Sequence, residues 1–248
     1  MQRNLVPFIK GQLPMFERFF IYMIFKIRNK KIQLDSRINL AEVIFHALKK
    51  GGLPFVRGLW LKLFIRTSKG LLFVGKSVTI LAPSRLCTGR NFYVGSFSYL
   101  DCLCADGVEI GDNVTLREGA WMQISSGYSN LGSGVKIGNG NYFGPRSIIG
   151  AAAPIMIGDN NQFGANLNLI AENHKFEPGA GIHEQGVDRL GIRIGNGCWF
   201  GNNVTVLDGV VIGSGVVIGA GSLVTKSIPD FAVAYGVPAK VVRFRSKP

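Results

Sequence analysis

Charged residues and cysteines are both scarce in this chain of 248 residues. Charged residues make up 17% of it, against about 25% in ordinary globular proteins. Four cysteines in a chain of this length exclude a disulfide scaffold. The longest uninterrupted apolar run, residues 19–25, is too short to cross a bilayer, which takes about 18 residues or more. No A-x-A cleavage site follows that run, so the sequence predicts an intracellular protein rather than a secreted one.

The positive charge is concentrated near the N-terminus. Residues 1–70 contain 14 Lys and Arg but only 3 acids, whereas residues 71–248 contain 14 and 12. The net charge of +13 therefore divides into +11 for the first segment and +2 for the rest. A basic segment of this kind suits nucleic acid or an anionic membrane surface. Because its cations alternate with Phe, Trp, Ile and Leu instead of forming a polar arm, the sequence favours the membrane surface.

Apolar residues recur at helical spacing in three parts of the basic segment. The predicted helices span residues 15–28, 40–50 and 54–66. The second begins after Asn39, with Glu42 positioned for a capping box. In the third, Trp60 lies on an apolar face opposite several cations, a pattern typical of helices at membrane interfaces. The alternative interpretation is that these faces pack on each other, on the rest of the protein or on another copy of it.

From residue 194 onward, a large apolar residue recurs at every sixth position. The series is Ile194, Phe200, Val206, Ile212, Ile218 and Val224, and glycine follows four of the six. The same phase occurs earlier, for example at Ile137, Phe143 and Ile149. A period of two would indicate a flat sheet and a period of 3.6 a helix, but a period of six fits neither.

We interpret the repeat as an all-β solenoid over residues 71–248. Each hexad supplies one short strand and one corner, with its first residue pointing inward and a glycine where the chain turns. Three hexads form one coil, and coils stack about 4.8 Å apart. A stack of coils needs capped ends, which the basic α-helical extension of residues 1–70 would provide at one end. The period lapses over residues 175–191, which are polar and glycine-rich, so we expect a functional loop there.

Four passages of the chain resemble the hexapeptide acyltransferases. They are Asn173-His174 before the loop, residues 182–186 within it, residues 197–201 (GCWFG) and residues 219–243, which begin GAGSLVTK and end GVPAKVVR. The last passage is the most specific, and the resemblance covers roughly residues 70–245. Within the branch that includes the galactoside, maltose and streptogramin acetyltransferases, the chain is most similar to the O-acetyltransferases of bacterial colanic acid, O-antigen and capsule.

The resemblance implies a left-handed parallel β-helix of hexapeptide repeats that forms a homotrimer, with active sites between neighbouring protomers. It implies acetyl-CoA as co-substrate and no metal. The expected activity is acetyl-CoA-dependent O-acetylation of a sugar hydroxyl on a cell-surface polysaccharide or its lipid-linked precursor. We expect the protein in the cytoplasm with no nucleic acid partner, and its basic segment suggests peripheral contact with the inner face of the plasma membrane. The alternatives are a small soluble sugar or antibiotic as acceptor, a longer acyl donor, or a non-catalytic β-helix scaffold.

His174 is the candidate general base. A sugar hydroxyl is a poor nucleophile near neutral pH, and an imidazole can take its proton as the oxygen attacks a thioester carbonyl. His174 is located where the repeat stops and the long loop begins, and His183 is its rival within the loop. The candidate substrate-binding residues are Asn173, His183, Glu184 and Gln185. Either Glu172 or Glu184 could orient the imidazole.

The resemblance implies that coenzyme A lies along the last coils. Trp199 would face the pantetheine arm if Cys198 points inward, although a surface aromatic at a subunit contact is an equal alternative. The candidate coenzyme A contacts are Trp199, Ala220, Ser222, Thr225, Lys226, Lys240 and Arg243. Ala220 and Ser222 would offer backbone groups, and the last four would meet the adenosine phosphates. The alternative for the basic end is a solubilising tail. Zinc would need clustered His or Cys at ligand spacing, which the sequence lacks.

Overall fold

The structure, a computed structural model, describes residues 38–125 and 127–246. The chain divides into two compact units, Met1–Gly52 and Leu53–Pro248. The helix expected over residues 15–28 lies outside the described residues.

Helix α1 in the first unit spans Leu40–Ala47 and continues as a π-helical turn over Leu48–Gly52. Its capping box is formed as predicted. The side chain of Asn39 accepts the backbone N–H of Glu42 at 2.9 Å, and the Glu42 carboxylate accepts the N–H of Asn39 at 3.0 Å. Two backbone donors that the first turn leaves without helical partners are thereby satisfied.

Helix α2 spans Leu53–Leu61 and opens the second unit. It is shorter than the helix expected over residues 54–66. The chain leaves the helix because the backbone N–H of Arg66 donates to the carbonyl of Leu86 at 3.0 Å, which draws the segment into a sheet. Strand pairing then begins at Thr67.

Three parallel sheets form most of the second unit. The first contains β1 (Thr67–Ser68), β4 (Leu86–Thr88), β7 (Gly107–Ile110), β10 (Gly134–Ile137), β13 (Ile155–Ile157), β18 (Ile192–Ile194) and β21 (Val211–Ile212). The second contains β2 (Leu72–Val74), β5 (Phe92–Val94), β8 (Thr115–Leu116), β11 (Tyr142–Phe143), β14 (Gln162–Phe163), β19 (Trp199–Phe200), β22 (Val217–Ile218), β24 (Ala232–Gly236) and the antiparallel edge strand β25 (Ala239–Phe244). The third contains β3 (Thr79–Leu81), β6 (Tyr99–Asp101), β9 (Trp121–Gln123), β12 (Ile148–Gly150), β15 (Asn168–Ile170), β20 (Thr205–Val206) and β23 (Leu223–Val224).

From β1 to β23, consecutive strands visit the first, second and third sheets in turn, and the chain then returns to the first. The short strands Asn173–His174 and Val187–Asp188 are the exception, since they pair only with each other. In the last coils the paired residues are 18 apart, as for Trp199 with Val217 and Thr205 with Leu223. This spacing is the three hexads that the repeat predicts. All six residues of the series from Ile194 to Val224 are buried.

Phenylalanine rings stack through the core beneath the second sheet. Phe143 and Phe163 lie 4.6 Å apart between ring centroids, and Phe163 meets Phe200 edge to face at 4.9 Å. The glycine after each ring is required where coils touch. A Cβ on Gly164 would lie 2.6 Å from the carbonyl carbon of Gly201 in the next coil, closer than any side chain tolerates.

Every departure from the six-residue period occurs at one corner of the coil. From the first sheet to the second and from the second to the third, inward residues are six apart, as for Ile110, Leu116 and Met122. From the third sheet to the next first-sheet strand the spacing rises to 15 between Met122 and Ile137 and to 25 between Leu169 and Ile194. We call this edge the insertion corner. It comprises residues 82–85, 102–106, 124–133, 151–154 and 171–191.

Candidate active site

His174 lies at the base of the longest segment of the insertion corner. Strand β16 (Asn173–His174) pairs antiparallel with β17 (Val187–Asp188), and these two short strands close the loop between them. The backbone N–H of Lys175 donates to the carbonyl of Gly186 at 3.1 Å and extends this closure. The imidazole is exposed, and no other residue of the described chain hydrogen-bonds to it. Both ring nitrogens are therefore unengaged by the described protein, and an imidazole nitrogen can serve as a hydrogen-bond donor or acceptor.

Arg189 joins two segments of the insertion corner. Its guanidinium donates from Nε to the Glu172 carboxylate at 2.8 Å and from Nη1 to the side-chain oxygen of Asn130 at 2.9 Å. The Arg189 and Glu172 side chains are only 21% and 24% exposed, so water screens the pair less than it screens a surface pair. The contact fixes the chain on both sides of His174, since Glu172 precedes it and Arg189 follows β17.

Asp208 anchors the point where the long loop returns to the first sheet. Its carboxylate accepts the backbone N–H of Leu190 at 2.9 Å and that of Gly191 at 2.7 Å. Asp208 is buried, and the two N–H donors replace the water that a carboxylate would otherwise need. Together with Arg189, it gives the loop defined ends.

The candidate substrate-binding residues occupy two places. Asn173 lies beside His174 at the base of the loop, whereas His183, Glu184 and Gln185 lie in or beside a 3-10 turn over Ile182–Glu184. Gln185 is engaged within the loop, where its side chain accepts the N–H of Glu177 at 2.8 Å and donates to the carbonyls of Glu177 and Ala180, each at 2.9 Å.

The His183 and Glu184 side chains remain mostly exposed, with 3.7 Å between His183 Nε2 and Glu184 Oε1. A second Glu184 oxygen accepts the N–H of Gly181 at 3.3 Å. Within the described chain, neither of these side chains hydrogen-bonds to His174 or forms an ion pair with it. The carboxylate nearest to His174 in sequence, Glu172, is held by Arg189, so it steadies the loop base.

Trp199 points outward from β19 while Cys198 is buried. Across the second sheet, Trp199 pairs with Val217, Val217 with Val233, and Val233 with Arg243 on β25. We call these four residues the Trp199 row. Three strand spacings of about 4.8 Å separate Trp199 from Arg243 along this row. The second sheet does not border the insertion corner, which lies between the third and first sheets. One chain therefore presents His174 and the Trp199 row on different parts of its surface.

The remaining candidate coenzyme A contacts lie on the last coils. Ser222 is buried, and its hydroxyl donates to the carbonyl of Gly219 at 2.7 Å and accepts the N–H of Gly236 at 3.2 Å, so its side chain ties two strands together. Ala220 is exposed and follows Gly219 directly. Thr225 and Lys226 after β23 and Lys240 and Arg243 on β25 are exposed as well.

A groove of about 290 Å³ runs along the outer face of the first sheet beside the loop's return. Met156, Arg193 and Val211 form its floor, and Leu190 and Gly209 bound it. Leu190 is largely exposed, so the groove is open toward the insertion corner.

The buried thiols are unsuited to nucleophilic chemistry. Burial raises the pKa of Cys102 to about 12, and it also raises the pKa values of Cys104 and Cys198. These groups are neutral thiols near neutral pH, whereas the thiolate is the nucleophile.

Within residues 38–125 and 127–246, no three His, Cys, Asp or Glu side chains are grouped to hold a metal ion. Over the same residues, every helix is too short or too polar to span a bilayer.

Sequence reasoning missed Asn130, Arg189 and Asp208. No local pattern marks them, because their partners come from segments 59, 17 and about 18 residues away. The sequence does offer one signal, namely the positions where inserted residues interrupt the six-residue period. Aligned by coil, they place all inserted segments on one edge, where side chains from different loops can meet.

Comparison with known proteins agrees with this architecture. Residues 191–226 match the family model described as bacterial transferase hexapeptide (six repeats). A probable acetyltransferase of Mycobacterium tuberculosis is 31% identical over 179 residues, which cover 72% of this chain and 51% of the relative. The galactoside O-acetyltransferase of Escherichia coli is 37% identical over 130 residues, covering 52% of this chain and 63% of the relative. The chain thus spans about half to three fifths of the length of these relatives.

A solved structure shows the same fold. A variant of AntD, an N-acyltransferase from Bacillus cereus crystallised with dTDP and coenzyme A, superposes with a TM-score of 0.55 at 18% identity, covering 76% of this chain and 89% of that one. The mostly parallel sheets, the hexapeptide repeat and this neighbour fit a left-handed β-helix. The repeat and these relatives make the chain similar to the hexapeptide-repeat acetyltransferases over the parts that match.

Proposed function

We propose that this protein transfers an acetyl group from acetyl-CoA to a sugar hydroxyl, with His174 as the general base. The observation that carries the proposal is the exposed, unbonded imidazole at the closed base of the long loop. The acceptor hydroxyl gives its proton to the imidazole as its oxygen bonds to the thioester carbonyl carbon. Collapse of the tetrahedral intermediate breaks the carbon–sulfur bond, and the imidazolium returns the proton to the coenzyme A thiolate. No covalent acyl-enzyme intermediate is needed, because the acetyl group passes directly from the thioester to the hydroxyl oxygen.

The active fold in this proposal is a left-handed parallel β-helix that assembles as a homotrimer. His174 lies at the insertion corner and the Trp199 row lies on the second sheet, which does not border that corner. A site that uses both must therefore combine two protomers. Three copies around a threefold axis would form three equivalent sites.

Coenzyme A in this arrangement lies along the second sheet and the last coils. Trp199 faces the pantetheine arm, and the backbone of Ala220 and Ser222 hydrogen-bonds to it. The cations Lys226, Lys240 and Arg243, with the hydroxyl of Thr225, meet the adenosine phosphates, since exposed Lys and Arg are suited to that charge.

The acceptor we propose is a cell-surface polysaccharide of the colanic acid, O-antigen or capsule type, or its lipid-linked precursor. The galactoside O-acetyltransferase relative supports a sugar as acceptor. Asn173, His183 and Glu184 would hold the sugar at the loop, with Gln185 keeping the loop turn in shape. Such precursors are made at the inner face of the plasma membrane, where we place the enzyme. The second candidate is a small soluble sugar, which the same relative also favours.

The chain's three histidines allow a matched test of the base. We expect His174→Ala to lower kcat/KM for acetyl transfer by roughly 10²–10⁴-fold, the usual contribution of a general base. His46→Ala, on α1, is the control and should retain wild-type activity. His183→Ala should raise KM for the acceptor with a smaller effect on kcat. Circular dichroism and thermal melting would establish that all three variants fold.

Activity of His174→Ala within a few-fold of wild type would contradict the assignment of the base. A wild-type protein that turns over acetyl-CoA with none of a panel of glycans would favour the scaffold alternative instead. Comparing acetyl-CoA with longer acyl thioesters identifies the donor, and mass spectrometry of surface glycans with and without the protein identifies the acceptor.

A further inference from the structure

Helix α2 is fixed on the second sheet by its inner face. Gly58 is buried so closely that a Cβ there would lie 1.8 Å from the carbonyl oxygen of Leu72. Phe55 packs against Phe73 with 6.2 Å between ring centroids, and Arg57 donates to the carbonyl of Val74 at 3.4 Å. These contacts leave the helix one orientation, so its opposite face is a defined surface of the protein.

That opposite face is apolar and exposed. Val56, Trp60 and Leu63 are 62%, 68% and 71% exposed, respectively. Leu59 and Phe64 continue the same surface, and the Phe64 ring lies 5.7 Å from that of Trp60. Large apolar side chains grouped in this way mark an interaction site, whereas scattered single ones would not. We call the outer face of residues 53–66 the α2 surface.

The charge around the α2 surface selects its partner. Within the second unit, the first 48 residues, 53–100, contain no Asp or Glu and seven Lys or Arg. Lys62 and Arg66 lie within the surface itself, and Arg66 is exposed. A second copy of this chain would bring the same cations against each other, whereas an anionic bilayer offers phosphates to the cations and acyl chains to the apolar residues. We infer that the α2 surface docks on a membrane rich in anionic lipid.

The geometry suits shallow insertion. Trp60 is an indole on an exposed helix face, the residue type that concentrates at the boundary between headgroups and acyl chains. Leu63 and Phe64 would enter beside it, while Lys62 and Arg66 reach headgroup phosphates. This docking does not depend on acetyl transfer, so each of the two proposals can fail without the other.

Fluorescence quenching tests the insertion directly, because the chain has three tryptophans. In the full chain carrying Trp121→Phe and Trp199→Phe, Trp60 is the remaining indole. We expect its emission to shift to the blue and to be quenched by vesicles of phosphatidylglycerol and brominated phosphatidylcholine. The reciprocal Trp60→Phe chain, which keeps Trp121 and Trp199, should show little quenching. An unquenched Trp60 in the presence of these vesicles would overturn the inference.

Vesicle co-sedimentation separates the apolar and electrostatic contributions. Trp60→Ser with Leu63→Ser should weaken binding roughly tenfold or more, since both side chains leave the lipid. The matched control is Val242→Ser with Phe244→Ser, two exposed apolar residues of β25. Lys62→Gln with Arg66→Gln should weaken binding to anionic vesicles by roughly fivefold per cation, whereas Lys136→Gln on the first sheet should not.

Two other occupants of the α2 surface give distinct results. If a second copy covers it, Trp60→Ser with Leu63→Ser will lower the mass measured by light scattering without lipid. If residues 1–37 cover it, Trp60 will emit in the blue before vesicles are added and will not respond to them. Either result, or equal binding to vesicles of pure phosphatidylcholine, would overturn the inference.

Discussion

At the scale of single residues, Phe163 is the middle ring of the stacked column in the core. It contacts Phe143 on one side and Phe200 on the other, and all three rings are buried. Each ring belongs to a different coil, so this residue links three successive turns of the chain. Dispersion contacts of this kind are individually weak, but a buried aromatic ring makes many of them.

Phe163→Ala should therefore lower the free energy of unfolding by roughly 3–5 kcal/mol, the usual range for a buried Phe. The cavity would lie between two coils whose backbones hydrogen-bond to each other, which limits how far they can close it. Urea unfolding followed by circular dichroism measures the change. The control is Phe97→Ala, because Phe97 is 69% exposed, and its cost should stay within about 0.5 kcal/mol. Equal costs at the two positions would contradict this role for the column.

The six-residue period predicts which residues face the core. It does not predict the residues that join one loop to another. The inward positions from Ile194 to Val224 are buried as the repeat predicts. His174 is predicted as the general base because the repeat lapses just after it, and that role stays a prediction. Arg189 and Asp208 have no such signal, since each acts on a partner that only the stacking of coils brings near.

At the scale of elements, Arg189 is the contact on which the order of the long loop depends. It crosses from the end of β17 to Glu172 before β16 and to Asn130 in a different segment of the insertion corner. Charge-assisted hydrogen bonds in a half-buried setting are among the stronger side-chain contacts.

We expect Arg189→Ala to loosen the loop while leaving the three sheets intact. Amide hydrogen exchange across residues 173–188 should accelerate roughly tenfold or more, with unchanged exchange in the core strands. In the reaction proposed above, acetyl transfer should fall mainly through kcat, because the proposed base His174 loses its fixed position. Arg189→Lys should restore part of the protection. Lys175→Ala is the control, since it keeps the backbone hydrogen bond to Gly186 and removes an exposed side-chain ion pair with Asp188 at 3.5 Å. Unchanged exchange in Arg189→Ala would exclude this role.

The elements themselves were predictable where the pattern is periodic. The helix after Asn39 forms with its expected capping box. The helix expected over residues 54–66 ends at Leu61 instead, because a backbone hydrogen bond from Arg66 to a distant strand competes with another helical turn. The helical periodicity of residues 54–66 cannot predict that strand. The end of the helix is set by hydrogen bonding to the strand.

At the scale of the whole molecule, the separation of His174 from the Trp199 row makes assembly a requirement of the proposed reaction. Light scattering should give three times the mass of one chain. His174→Ala and Trp199→Ala should each be impaired alone. Co-refolding the two variants should restore activity, since about one site in four in a random mixture receives both intact residues. A mixture no more active than the average of its components would show that the site lies within one chain.

At the insertion corner, the length of a loop does not affect how the strands on either side of it pair. Ile157 pairs with Ile194 and Phe163 with Phe200 in register although 37 residues separate each pair, whereas 18 suffice for the later pair of Trp199 and Val217. Segments of very different size are thus accommodated at this edge with no adjustment of the strands on either side. The corner is consequently a place where segments can be grafted. Under the proposed function, exchanging residues 171–191 between relatives should exchange acceptor preference while the host framework remains unchanged.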